Sequence, residues 1–296
     1  TTTTYATGTL SKNQTTDEAG HFVIEYKDLM GKVVLKKVQL IGSPGTAHMG
    51  WLCTYYVYDD LENLRFVIQP KAIDLIMLNG TWNLASITNL TNELCFRYEY
   101  DSRNRMIIKK VPGAGEVWMI YDQWDRLALT QDAKLRTANQ WIFTKYDVQN
   151  RPVLTGLYTD ATHNSQSSMQ SYLNTQALGR FDSRNTGVQL GYTTTLSFPN
   201  LASMSWSSTD WLTVNFYDDY TAGSFFGSAY GQRDNSQDNL FAAGSNTTYP
   251  YPQTVTEVNT TRGNPTISIS RIIGSTGSVY HVNFYDSRNR VVQTKT

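Results

Sequence analysis

The sequence is short of charge, of cysteine and of long apolar runs. Only 17% of its 296 residues are Asp, Glu, Lys or Arg, and the 25 basic and 25 acidic side chains cancel to zero net charge. A nucleic-acid or anionic-membrane partner would favour a basic excess, which is missing here. No apolar stretch approaches the roughly 20 residues of a membrane helix. No basic start followed by an apolar run marks a signal peptide, so such a leader is absent or already removed. Two cysteines, Cys53 and Cys95, are too few for a disulfide framework. The four histidines, His21, His48, His163 and His281, are scattered and none has metal-ligand spacing. The sequence contains no G-x-S-x-G element, and Gly113-Ala114-Gly115 lacks the Lys-Ser/Thr of a phosphate loop. No catalytic set, metal site or cofactor is expected.

What is present is strand chemistry. Tyr contributes 19 residues and threonine outnumbers lysine and arginine combined. Aromatic and β-branched side chains suit a pleated, half-buried surface. This weakly charged Tyr/Thr/Asn/Ser composition fits an extracellular β protein better than a cytosolic enzyme. Five N-x-S/T sequons, at Asn13, Asn79, Asn89, Asn246 and Asn259, arise easily in such a chain and signify glycans only in a host that adds them.

An internal repeat dominates the reading. Tyr100-Asp101-Ser102-Arg103-Asn104-Arg105 returns as Tyr285-Asp286-Ser287-Arg288-Asn289-Arg290. The same frame, Tyr-Asp-x-x-[Asn/Asp]-Arg, recurs at Tyr121-Asp122 with Asp125 and Arg126, and at Tyr146-Asp147 with Asn150 and Arg151. Looser copies follow. Asp28 with Gly31 keeps the turn, with Tyr26 displaced by one; Tyr58-Asp59 puts Glu62 where Gly or Asn is expected; Tyr217-Asp218 keeps only the dipeptide. The unit is roughly twenty-odd residues with insertions.

Each copy reads as a β-hairpin. Phe96, Tyr98 and Tyr100 alternate with Arg97, Glu99 and Asp101 before the turn, and Met106-Ile107-Ile108 supplies the returning strand. The Asp carboxylate accepts a backbone N–H two residues on. Two free residues make a type I turn, and Gly31, Asn104, Asp125, Asn150 or Asn289 takes the positive-φ bulge position. Glu62 suits that position poorly, so this hairpin is expected to be strained or shifted by one, with Asp60 opening the turn and Asn63 in the bulge. The following Arg or Lys can reach back to the turn Asp or lie over aromatic rings. One hairpin is marginal in water, but stacked hairpins bury each other's faces.

These residues resemble the Rhs/YD-repeat family of bacterial proteins, most closely from Ile24 through Thr155, including Leu94 to Asp101, Val111 to Val117, Leu129 to Asp132 and Asn150 to Val153. The resemblance implies repeats wound into a long β ribbon. In Rhs toxins and the C components of insecticidal toxin complexes that ribbon closes around a toxin, and in teneurins a similar shell serves recognition. The sequence has no Rhs core segment with Asp-Pro-x-Gly and no toxin domain, as in a fragment of a longer chain or a protein that uses the ribbon alone.

The expected fold is therefore all-β: antiparallel YD hairpins stacked into a curved sheet or solenoid-like ribbon, with one or two short helices at Ala72–Asn79 and Ser165–Tyr172. The hairpins are expected over 1–158, a divergent insertion with long loops over 159–281, and a returning hairpin over 282–296. Cys53 and Cys95, six residues before their turn aspartates, would lie two strands apart, about 9–10 Å, as free buried thiols. Asp59-Asp60 and Asp218-Asp219 are expected to cap turns, because adjacent strand residues point to opposite faces. The expected function is a non-catalytic scaffold, secreted or on a bacterial surface, whose partners are neighbouring YD segments or further copies, or an enclosed toxin. One alternative is a glycan-binding module that stacks sugars on Trp206 and Trp211. Another is an end-to-end extracellular fibre, since the terminal hairpins expose edges.

Overall fold

The computed structural model describes residues 5–185, 187, 189–225, 227, 230–236, 238 and 261–296. The sequons at Asn246 and Asn259, with residues 239–260 of the divergent insertion, lie outside the described residues. Among the described residues fifteen strands form one antiparallel sheet whose strand order is the order along the chain. The all-β expectation holds. Packing divides the chain into two compact units, one of residues 1–120 and 131–137, the other of residues 121–130 and 138–296.

In the first unit the sheet runs from β1 (Ser11–Thr16) through β2 (Phe22–Lys27), β3 (Val33–Gln39), β4 (Trp51–Tyr58), β5 (Leu64–Ile68), β6 (Cys95–Tyr100) and β7 (Met106–Lys110) to β8 (Glu116–Tyr121). Between β5 and β6 the chain rises into helix α1 (Pro70–Asn79) and the one-turn α2 (Leu90–Glu93). Pro70 occupies the first turn of α1, where a missing N–H costs nothing, and Gly80 ends it at φ 64° with its N–H on the Met77 carbonyl. Ala72, Ile73 and Ile76 are buried, and with Leu90 they pack on Cys53, Ile68 and Cys95 of the sheet. Each fully buried isoleucine contributes about 1.5–3 kcal/mol. Both cysteines are free and buried, on strands separated by β5, as the repeat spacing predicts. Burial pushes the Cys95 thiol up to about 11. Helix α3 (Ala133–Thr137) completes this unit.

The second unit contains β9 (Leu127–Gln131), β10 (Gln140–Tyr146), β11 (Pro152–Thr159), β12 (Trp211–Asp218), β13 (Thr261–Arg271), β14 (Ser278–Tyr285) and β15 (Val291–Lys295). Helix α4 (Gln166–Thr175), capped by the Ser165 hydroxyl on the Ser168 N–H, matches the second expected helix. Alternate positions are buried in Trp141, Phe143 and Lys145 of β10, in Val214 and Phe216 of β12 and in Val282 and Phe284 of β14.

Candidate functional site: the row of Tyr-Asp turns

The repeated turns follow β2, β4, β6, β10 and β14, and Asp122 opens another between β8 and β9. Each follows an even-numbered strand, so in each unit they line one edge of the sheet. Their geometry is uniform. In all six turns one carboxylate oxygen of the Asp accepts the backbone N–H two residues on and the N–H four residues on, all at 2.8–3.0 Å. The fourth residue holds positive φ: Gly31 82°, Glu62 66°, Asn104 58°, Asp125 62°, Asn150 63° and Asn289 58°. The ladder register slips beside each turn where its pairing is described, as between Glu99 and Tyr100 and between Lys145 and Tyr146.

The shift expected at Tyr58-Asp59 does not occur. Asp59, not Asp60, opens the turn, and Glu62 takes the left-handed conformation. Two N–H bonds to Asp59 fix the frame, and Asn63 adds an amide bond to the other carboxylate oxygen. Glu62 also gains Lys32, whose ammonium sits 2.8 Å from its carboxylate.

The second oxygen of the turn Asp receives the arginine. Nε of Arg105, Arg126, Arg151 and Arg290 lies 2.7–2.8 Å from Asp101, Asp122, Asp147 and Asp286. At Asp101 burial works to raise the carboxyl pKa, but the bonds from Arg105 and Arg103 outweigh it and the net shift is downward. At Asp286 the Arg290 N–H and guanidinium bonds lead a net lowering.

The tyrosine links one hairpin to the one before. Tyr58 donates to the Val33 carbonyl (3.2 Å), Tyr100 to Leu64 (3.2 Å), Tyr146 to Leu127 (2.9 Å), Tyr217 to Pro152 (3.0 Å) and Tyr285 to Pro265 (2.7 Å). Val33, Leu64, Leu127 and Pro152 each begin the returning strand of the preceding hairpin. The basic residue after the bulge then lies over the next tyrosine: Lys32 over Tyr58 (5.1 Å), Arg126 over Tyr146 (4.6 Å) and Arg151 over Tyr217 (4.3 Å). Neighbouring turns also touch at their tips, Asn63 to Asn104 and Arg126 to Asn150. The repeat thus encodes both the turn and the joint between hairpins.

Two features escape the repeat-based reading. Asp17 opens the same turn between β1 and β2, its carboxylate accepting the Ala19 and His21 N–H groups, with Gly20 at φ 82°. It follows Thr16 instead of a tyrosine, so no joint accompanies it, and Asp-x-x-Gly was the available signal. The other feature is a set of buried lysines. Lys37 donates to the Thr46 and Ala47 carbonyls, Lys110 to those of Asn92 and Ala114, and Lys145 to the Ser197 carbonyl and Asp182. Each ties a loop to a strand. Lys145 continues the buried phase of Trp141 and Phe143, which the alternation makes visible.

Asp218 and Asp219 depart from expectation. A φ of 76° at Asp218 breaks the strand alternation, so both carboxylates line one cleft of about 370 Å³ together with Asp147, Arg151, Asp182 and Arg184. Arg151 forks onto Asp218 at 2.7 and 2.9 Å, and Arg184 reaches Asp219 at 2.9 Å. Asp219 does cap a turn, accepting the Thr221 N–H, whereas Asp218 accepts the Gly263 N–H. Trp211 is only 2% exposed, edge-on to Trp206 at 5.2 Å, with Arg271 over its ring, so it offers no stacking face to a sugar. The register slip between Thr155 and Gly156 pairs Gly156 with Trp211, which puts Trp211, three residues before Val214, on the same buried face. Trp206 is half-buried beside it.

No helix among the described residues is long and apolar enough to cross a membrane. No family model matches the sequence, and no curated protein does. Among solved structures the chain is similar to the Photorhabdus luminescens Tc holotoxin pore, with a TM-score of 0.37 and 12% identity over 93% of this chain and 13% of that one. It is similar to the TcdB2-TccC3 structure at a TM-score of 0.37 and 13% identity, again over 93% and 13%. The chain therefore spans 13% of the length of these neighbours, and the likeness is a distant one.

Proposed function

We propose that this chain is a non-catalytic YD-repeat scaffold, secreted or displayed on a bacterial surface, that contributes wall to a larger β assembly. One observation carries the reading: the recurring residues are spent on holding hairpin to hairpin. Tyr58, Tyr100, Tyr146, Tyr217 and Tyr285 all give their hydroxyls to a preceding strand, and the turn aspartates are occupied by N–H groups and arginine. Side chains committed in this way build a sheet by repetition. Neighbouring YD segments of a parent protein, or further copies of this chain, are the partners that such a joint accepts.

Negative-stain electron microscopy and light scattering of the purified chain test the reading. Discrete particles or lateral assemblies of uniform width support it. Saturable turnover of any substrate by the chain, abolished by substituting a cluster of its polar side chains, overturns it.

A further inference from the structure

Three lysines among the described residues are buried, and one of them differs from the others in its partners. Lys37 and Lys110 give their ammonium groups to backbone carbonyls. Lys145 of β10 meets a carboxylate as well: its Nζ lies 3.0 Å from Asp182 Oδ2, and both side chains are 0% exposed. Trp141 and Phe143, four and two residues earlier on the same face, are also fully buried. A pair this deep has lost the hydration that stabilises two opposite charges. Burial lowers the Lys145 pKa against the pull of Asp182, which favours the neutral amine.

The two oxygens of Asp182 have different surroundings. Oδ1 accepts the Thr193 hydroxyl at 3.0 Å and the Leu196 N–H at 3.2 Å. Two donors fixed on one oxygen stabilise negative charge that develops there. Oδ2 accepts the Lys145 ammonium and the Ser197 hydroxyl. The Ser197 hydroxyl oxygen also accepts from Lys145 Nζ, at 3.3 Å, so a hydrogen-bonded path runs from the amine through Ser197 to Oδ2. An amine and a carboxyl held together by the fold, with water shut out, have the proximity from which an amide condenses.

We propose that Lys145 and Asp182 join through an isopeptide bond between Nζ and Cγ, which fastens β10 covalently to the segment ahead of β12. The ammonium first gives a proton to Oδ2, leaving a neutral amine and a neutral acid. The Nζ lone pair then attacks Cγ, and Oδ1 takes the negative charge beneath Thr193 and Leu196. A second Nζ proton passes through Ser197 to Oδ2. The Cγ–Oδ2 bond breaks, the carbonyl reforms at Oδ1, and one water leaves. Nothing is oxidised or reduced, and no co-reactant is required. The proposal does not rest on the scaffold reading.

Mass spectrometry of the intact, folded chain tests it. A mass about 18 Da below that of the sequence is expected, the loss of one water, and it should persist in denaturant because the link is covalent. Trypsin should fail to cut after Lys145, and the fragment Phe181–Arg184 should emerge joined to the peptide that carries Lys145. Lys145→Arg keeps a cation at the site, removes the amine, and should restore the full mass. The parent chain decides the question by itself, so a variant that fails to fold leaves the test intact. Three results overturn the proposal: an intact mass equal to that of the sequence, unlinked Phe181–Arg184 as the sole form of that fragment, or a loss of water that persists in Lys145→Arg.

Discussion

Removing one hydroxyl from Tyr146 tests the joint between hairpins most directly. Tyr146→Phe keeps the ring beneath Arg126, whose guanidinium carbon lies 4.6 Å from the ring centre, and deletes only the 2.9 Å bond to the Leu127 carbonyl. A neutral hydrogen bond contributes about 0.5–1.5 kcal/mol net, and leaving a half-buried acceptor unpaired adds to that, so a loss of about 1–2 kcal/mol is expected. A loss of that size multiplies the open fraction by roughly 5 to 30. Amide hydrogen exchange followed on β9, β10 and β11 reads this locally, without assuming that both units unfold together. The control is Tyr26→Phe. Tyr26 sits one residue out of the repeat frame and its hydroxyl has no partner among the described residues, so this change should leave exchange unaltered. Equal protection in Tyr146→Phe and the parent would refute the claim that the repeat tyrosine joins hairpins. So would equal losses in the two variants.

Four further outcomes follow from the same geometry. The Asp101 carboxyl is held below its ordinary value, so the unfolded chain takes up a proton more readily and stability is lost as pH falls from the unfolded value of about 3.9 through the lower folded one; the deficit of Asp101→Asn, measured as a urea midpoint, should be full at pH 6 and shrink towards pH 2. Asn104→Glu should cost about 1 kcal/mol and Glu62→Asn gain about 0.5 kcal/mol, because φ near 60° suits Asn and the exposed pair with Lys32 returns little. Gly156→Ala places a Cβ 2.4 Å from the Asp210 carbonyl and 2.6 Å from Phe143, and should cost at least about 1–3 kcal/mol by thermal melting. Both thiols should resist a thiol reagent in the folded protein and react after denaturation, and an intact mass two hydrogens lower would contradict free Cys53 and Cys95.

What could be read in advance was whatever closes within five residues. The turn Asp, the positive-φ Asn and the returning Arg interact inside one loop, so their order in the sequence already implies their contacts. The tyrosine's role was hidden because its acceptor lies far upstream, 25 residues away for Tyr58, 36 for Tyr100 and 19 for Tyr146. Glu62 misled because propensity argued against a conformation that two backbone bonds to Asp59 hold in place. Asp218 and Trp211 misled for opposite reasons. A left-handed residue turned one of them into a cleft, and a register slip in the strand pairing carried the other into the core.

That division also explains why the Tyr and the Asp must be adjacent. The Asp fixes the turn, so the residue immediately before it leaves the strand at a set angle beside the register slip. A ring there meets the first carbonyl of the previous returning strand and the basic residue behind it. Moving the tyrosine by one, as at Tyr26, keeps a turn with its bonds to Asp28 but loses the link backwards. Local turn chemistry and long-range joining are therefore one dipeptide's work. Exchanging Tyr146 and Asp147 in sequence should accordingly cost more than the sum of Tyr146→Phe and Asp147→Ala, since it misplaces the ring and the turn together. Additive losses in that comparison would show that turn and joint are independent.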